Sequence, residues 1–226
     1  EAVAAPPKAC KYFDVPLQHA SPSVLKNMRR GSSGKHFLQQ LEKIRSAIPG
    51  VTLRTSMIVG FPGETDDDFQ ALLDFVSEAE FDHLGVFLYS NEESSASFSL
   101  PNLVAARVAR ARQKKLMALQ RKISRRKLRN LVGRSFPILV EGRSEETDLL
   151  FRGRLESQAP EIDGQVLINE FAGPEPQPGE FWLATIAKSH DYDLVARLEK
   201  RLDAERTSAP RPLGSLVQIQ PAGVCV

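Results

Sequence analysis

The stretch "RTSMIVGFPGET", residues 54–65, decides the fold. It opens as a mostly apolar run, the pattern of a parallel strand covered on both faces, and breaks at Gly60, Pro62 and Gly63. Thr65 then reads as a helix N-cap, with Asp68 three residues on completing a capping-box-like pattern. Asp66, Asp67 and Asp68 suit the positive end of that helix's dipole. Phe69, Leu72, Leu73 and Val76 recur at helical spacing as an inward stripe. Strand, tight turn and helix make one βα unit. A turn so rich in backbone-permissive residues either admits a ligand close to the main chain or is a plain strand-to-helix connection.

The same unit appears on both sides. Upstream, "KYFDVPLQ" (11–18) is strand-like, with Pro16 marking where regular pairing ends. "SPSVLKNMRR" starts a helix with a serine cap and a proline at the first position. "KHFLQQLEKIRSAI" places Phe37, Leu41, Ile44 and Ile48 on one helical face, and Pro49-Gly50 stops it. Downstream, "HLGVFLYS" (83–90) is a third strand. A long basic amphipathic helix begins near Pro101, with Val104, Val108, Leu116, Leu119 and Ile123 as its buried side.

Three βα units in succession predict a parallel sheet with right-handed crossovers. They are too few to close a barrel. Residues 1–119 are therefore expected to be the second half of a larger α/β barrel, and a chain opening on Glu1 rather than Met fits a piece cut from a longer protein.

Past Leu131 the pattern changes. "SFPILVEG", "DLLFRGRLES", "GQVLINEF" and "GEFWLATIAKS" are short strands divided by turn clusters such as "APEIDG" and "GPEPQPG". Four or five such strands predict a small all-β barrel of the OB-like sort over residues 120–196, with the end of the basic helix as its lead-in. Trp182 is expected in its core. Residues 197–226, ending in an aperiodic mixture of Pro, Gly and Ser, read as a disordered tail.

Composition sets the outer limits. With 226 residues, 42% hydrophobic and 26% charged, the chain is an ordinary globular one of one or two domains. No apolar run approaches the roughly 20 residues that span a bilayer, and no secretory signal is evident. Cys10 and Cys225 lack any metal-ligand spacing, and Cys10 reads as a small buried hydrophobe before a strand. Net charge is only +2, yet no acid stands between Glu93 and Glu141, and twelve of the thirty Lys and Arg residues fall between Arg107 and Arg134. Two readings of that stretch stand open: an anionic partner such as RNA, or the solvated face of a long helix.

At the level of motifs, "YFDVPLQHAS", "MRRGSS", "LRTSMIVGFPGET" and "FLYSNEE" resemble, in order and spacing, the second half of the radical-SAM domain of methylthiotransferases. "LVGRSFPILVEG" looks like the start of the TRAM domain that closes those enzymes. "QAPEIDG" (158–164) and "SHDYDLVAR" (189–197) resemble the TRAM signatures of the ribosomal-protein branch, the RimO family. The resemblance runs from Tyr12 to about Leu194. It implies a partial TIM-like radical-SAM barrel followed by a TRAM barrel. It also implies a cytoplasmic enzyme adding a methylthio group to an aspartate β-carbon of small-subunit ribosomal protein twelve. The implied cofactors are S-adenosylmethionine and two 4Fe–4S clusters. None of the cluster cysteines of that family is in this sequence, so the chain alone is expected to be inactive, the back half of an enzyme. The related branch that modifies tRNA adenosine, and a non-catalytic RNA-binding module built on residues 107–134, remain alternatives.

Barrel chemistry gathers at the C-terminal ends of strands. The resemblance therefore assigns cofactor contacts to Gln18 and His19 at the first strand end, to Tyr89 and Ser90 at the third, and to the turn between. There Gly60 and Gly63 permit close backbone approach, Pro62 fixes the loop shape, and Ile58 and Phe61 pack near the adenosyl group. Arg54, within its strand, would grip a carboxylate of S-adenosylmethionine or of the substrate, or else form an internal salt bridge. Glu64 is read as structural, capping its helix or bonding a loop, and His36 and His83 as surface or packing residues. The family's Glu-Gly-Thr after the third strand is replaced here by "EESSAS", which leaves that loop's contacts open.

Overall fold

The structure, a computed structural model, describes residues 9–145 and 147–202. Three parallel strands, β1 (Tyr12–Asp14), β2 (Thr52–Val59) and β3 (His83–Leu88), form a sheet in the order β1-β2-β3. Four helices accompany them: α1 (Pro22–Asn27), α2 (Gly34–Ala47), α3 (Asp66–Ala79) and α4 (Ala106–Arg129). Strand β1 stops after three residues, as Pro16 requires, and pairing resumes only as a bridge between Gln18 and Met57.

One face of the sheet is covered. Leu53, Met57, Val59, Leu84 and Val86 pack with Phe37 and Leu41 of α2, with Phe69, Leu72, Phe75 and Val76 of α3, and with Leu116 and Ile123 of α4. The Thr65–Asp68 capping box forms as the sequence predicts. On the opposite face, Arg54, Ser56, Ile58 and Gly85 are half-buried, and Phe87 is exposed. Among the described residues the outer edges of β1 and β3 have no neighbouring strand.

The second unit closes on itself. Strands β4 (Ser135–Arg143), β5 (Phe151–Arg154), β6 (Val166–Phe171), β8 (Leu194–Leu202) and β7 (Phe181–Ser189) form a closed barrel in that order. Its core holds Ile138, Val140, Ile168, Trp182, Ile186, Leu194 and Leu198, all essentially buried. Trp182 sits there as predicted, with its indole N–H donating to Glu180 at 2.9 Å.

Three expectations need correction. The boundary predicted at residues 119/120 falls inside α4, which runs unbroken through it. Residues 197–202, predicted as tail, complete β8. Their charges concealed the strand: Arg197 pairs with Glu199 and Arg201 with Glu180 on the outside, while Leu198 points into the core. Cys10, predicted buried, is exposed. The rest of the predicted tail, residues 203–226, lies outside the described residues.

Helix α4 buries a face more polar than predicted. Leu116 and Ile123 are in it, but so are Arg112, Gln120 and Ser124, while Val104, Val108 and Leu119 are only partly covered. Each polar group has a reason to be there. Gln120 donates to the Phe81 carbonyl at 2.9 Å and Gln113 to that of Val86 at 2.8 Å, which ties the helix to the strand layer.

Candidate functional site

The three strands end side by side on one rim. Gln18 lies beside Met57, its N–H donating to Ser56 O at 2.9 Å and its carbonyl accepting from Ile58 at 2.7 Å. Tyr89 N–H donates to Val59 O at 3.0 Å. Between them the loop Gly60–Gly63 turns off β2, and the Phe61 ring meets Tyr89 edge-on, 5.0 Å between centroids. Gln18, Gly60, Phe61 and Tyr89 are thus contiguous. Ile58 stands just below them on the open face, and Ser90 is exposed at the edge.

The loop is held from behind. Both Gly60 and Gly63 adopt left-handed backbone angles (φ 80 and 82). At Gly60 a Cβ would fall 2.5 Å from Ala109 Cβ, so the close approach this glycine permits is made by α4. Glu64, 5% exposed, folds its carboxylate back to accept the N–H groups of Gly60 and Phe61, the second at 3.1 Å. It therefore braces its own loop. Arg112 completes the brace, donating to the Glu64 carbonyl at 3.1 Å and to Asp66 at 2.7 Å, 3.4 Å from the Glu64 carboxylate.

His19 belongs to this backing. It is fully buried, its Nδ1 accepts from Ser21 N–H at 3.0 Å, and its Nε2 faces Glu64 at 3.8 Å. Sequence reasoning placed it with the exposed rim, whereas it lies behind a loop whose Gly60 and Phe61 are themselves buried, which leaves Gln18 and Tyr89 as the half-buried groups of the rim. Pro62 is likewise buried. Arg112 was missed because it sits on a stretch whose charges read as one solvated face.

Arg54 stands apart from the rim. It lies six residues before Gly60, about 20 Å away at the roughly 3.3 Å rise of a strand residue. Its guanidinium bonds Asp14 at 2.6 Å and lies 3.7 Å from Asp163, a residue of the barrel unit. The internal salt bridge is the alternative the structure contains. His83, on the same face, is also engaged by Asp163, at 3.3 Å.

The motifs imply two kinds of group to be held, an adenosyl moiety and an iron–sulfur cluster. On the open face Ser56 is level with Gly85 and Ile58 with Phe87, and the Phe87 ring lies over Gly85, where a Cβ would come 3.1 Å from it. Apolar Ile58 and Phe87, with the strand-end backbone above them, are groups that an adenosyl base can pack against. An iron–sulfur cluster is not served: among the described residues there is no group of three His, Cys, Asp or Glu side chains that could hold a metal, and Cys10 precedes β1, at the opposite end from the rim.

Two family models match the chain: the Radical SAM superfamily over residues 3–76 and the TRAM domain over residues 132–198. A radical-SAM α/β segment carrying a TRAM barrel is the class that the fold and rim define. Among curated proteins, the ribosomal protein uS12 methylthiotransferase RimO of Solibacter usitatus is 56% identical over 188 residues, covering 83% of this chain and 40% of the relative. That of Koribacter versatilis is 53% identical over 199 residues (88% and 40%), and that of Myxococcus xanthus 41% over 228 residues (98% and 47%). The chain belongs to the RimO methylthiotransferase family. It spans less than half the length of these relatives.

Proposed function

We propose that this chain is the back half of a radical-SAM methylthiotransferase acting on an aspartate β-carbon of ribosomal protein uS12. The observation that carries the reading is the braced rim, where Gln18, Gly60–Gly63 and Tyr89 adjoin, in a chain whose relatives bear that name. When bound, S-adenosylmethionine and two 4Fe–4S clusters supply the radical, sulfur and methyl chemistry. This chain's share is positioning. The Gln18 side chain and the shape of the Gly60–Gly63 loop orient the adenosyl group, Ile58 and Phe61 exclude water beside it, and Glu64, which takes the Gly60 and Phe61 N–H groups, keeps the loop in shape with Arg112. Cluster ligands are not available among the described residues, so the chain by itself is inactive.

The net change on the target is replacement of C–H by C–S–CH3. Intact-mass measurement of uS12 from cells with and without the gene should differ by one carbon, two hydrogens and one sulfur; an identical mass rejects the reading. Loss of methylthiolated adenosine from tRNA in the same deletion would move the substrate to tRNA.

A second reading has its own observation. Arg107, Arg110, Lys114 and Lys122 are exposed on α4 and have no acidic partner among the described residues. Such a face suits RNA phosphates, and we propose ribosomal RNA as its partner during docking on the small subunit. Binding that weakens steeply with salt is the expected outcome, and salt-insensitive binding opposes it.

A further inference from the structure

The motif "QAPEIDG" takes no part in the rim, yet its loop is held by side-chain bonds to its own backbone. Leu155 N–H donates to the Gln158 side chain at 2.9 Å, and Ala159 N–H to Asp163 at 2.8 Å. Gly164 lets the chain pass the Tyr192 backbone, where a Cβ would sit 2.0 Å from the carbonyl oxygen. The product of this construction is one carboxylate, Asp163, delivered away from its own barrel with its side chain 2% exposed.

It lands at the base of the open sheet face. The Tyr12 hydroxyl donates to Asp163 at 2.6 Å, His83 Nδ1 lies 3.3 Å from it, and Arg54 Nε lies 3.7 Å from it. These three residues come from β1, β3 and β2, so one side chain touches every strand of the sheet. His83 reaches the same loop twice, because its Nε2 donates to the Ser157 carbonyl at 2.8 Å. Burial and the bond to Asp163 push the Tyr12 phenol well above its ordinary pKa, as expected of a donor locked onto a carboxylate. Beside the contact lies a cavity of about 330 Å³, lined among others by Arg54, His83, Asp163, Gly164 and Tyr192.

We propose that Tyr12, Arg54 and His83 form a carboxylate-binding seat, and that Asp163 is its built-in ligand, locking the TRAM barrel to the base of the radical-SAM sheet. A buried carboxylate survives only if it is paired, and here, besides the Ala159 amide of its own loop, the side chains that pair it belong to the other domain. The ligand class is a small carboxylate. Helix α4 also joins the units, packing Leu128 against the barrel core, whereas the exposed pairs of Arg121 and Arg125 with Asp191 at 3.9 Å contribute little. The seat lies at the opposite end of the strands from the rim, so the proposal is independent of the cofactor assignment.

The test removes the ligand and offers a substitute. In the intact protein, Asp163→Ala should speed amide hydrogen exchange in residues 12–14 and 157–164 by on the order of tenfold or more, as expected for a lost local lock. Added formate, compared with chloride at equal ionic strength, should restore much of that protection through the adjoining cavity and leave the wild type unchanged. Wild-type exchange rates in Asp163→Ala, or a folded Asp163→Ala that ignores formate, would overturn the proposal. Should that variant not fold, Asp163→Asn decides alone: faster exchange in the same two segments supports the seat, and wild-type behaviour refutes it.

Discussion

The two halves of this chain answer the same problem, how to satisfy a β-sheet, in opposite ways. The barrel of β4–β8 closes, so every strand finds two neighbours and the core is complete within about 70 residues. The sheet of β1–β3 does not close. It buries one face under helices and leaves the other open, with Ile58 and Gly85 half-buried and Phe87 exposed. A closed barrel has little room left for a ligand, whereas an open sheet presents a rim and an uncovered face. The open half is where a cofactor would fit, and the closed half plugs its base through Asp163.

The contrast predicts how each half fails. Trp182→Ala should cost the largest amount, about 3–5 kcal/mol, by emptying the centre of the closed barrel. Thermal unfolding should show the loss, while exchange at residues 60–64 stays at the wild-type rate; coupled loosening of both would mean that the halves are less separate than described. Gly60→Ala should cost less, ~1–3 kcal/mol for the left-handed backbone before any clash with Ala109. Its signature is local: faster exchange in the rim loop and weaker S-adenosylmethionine binding, with the barrel intact. Glu64→Gln keeps one acceptor for the Gly60 and Phe61 amides but gives up the charge facing Arg112, so it should loosen the same loop by a smaller margin than Glu64→Ala.

The smallest effect is a pH dependence on the sheet side. Burial alone would raise the Asp68 pKa, but hydrogen bonds from Ser21, Ser23 and Thr65 outweigh it and hold the carboxyl below its ordinary value of 3.8. The folded state then binds the proton less readily than the unfolded chain. Its stabilising contribution is complete above that ordinary value and is lost as pH falls below it. Asp68→Asn should flatten that part of the acid-unfolding curve, and an unchanged slope would count against the hydrogen-bond account.

What was legible in the sequence follows from range. The capping box at Thr65 and Asp68, the stripe from Phe69 to Val76 and the stop at Pro16 are local, and the chain spells them out within a few residues. Trp182 was legible through its place in an alternating strand. The contacts that fix the site are not local. Asp163 meets Arg54 across 109 positions of sequence, and neither residue's surroundings name the other. Arg112 sits among a dozen basic residues, and only the packing of α4 on Gly60 selects it for burial. His19 looked like a rim residue because it follows Gln18, yet the backbone turn at Gln18 (φ 72) precedes a histidine that points inward. Residues 197–202 looked like tail because their charges face solvent.

The rim, and not the base of the sheet, is the end proposed to receive the adenosyl cofactor. Hydrogen exchange of the intact protein with and without S-adenosylmethionine tests it most directly. Added protection at residues 18–19 and 58–63, with residues 12–14 and 157–164 unchanged, is the expected result. Protection confined to the base, around Tyr12, His83 and Asp163, would contradict it.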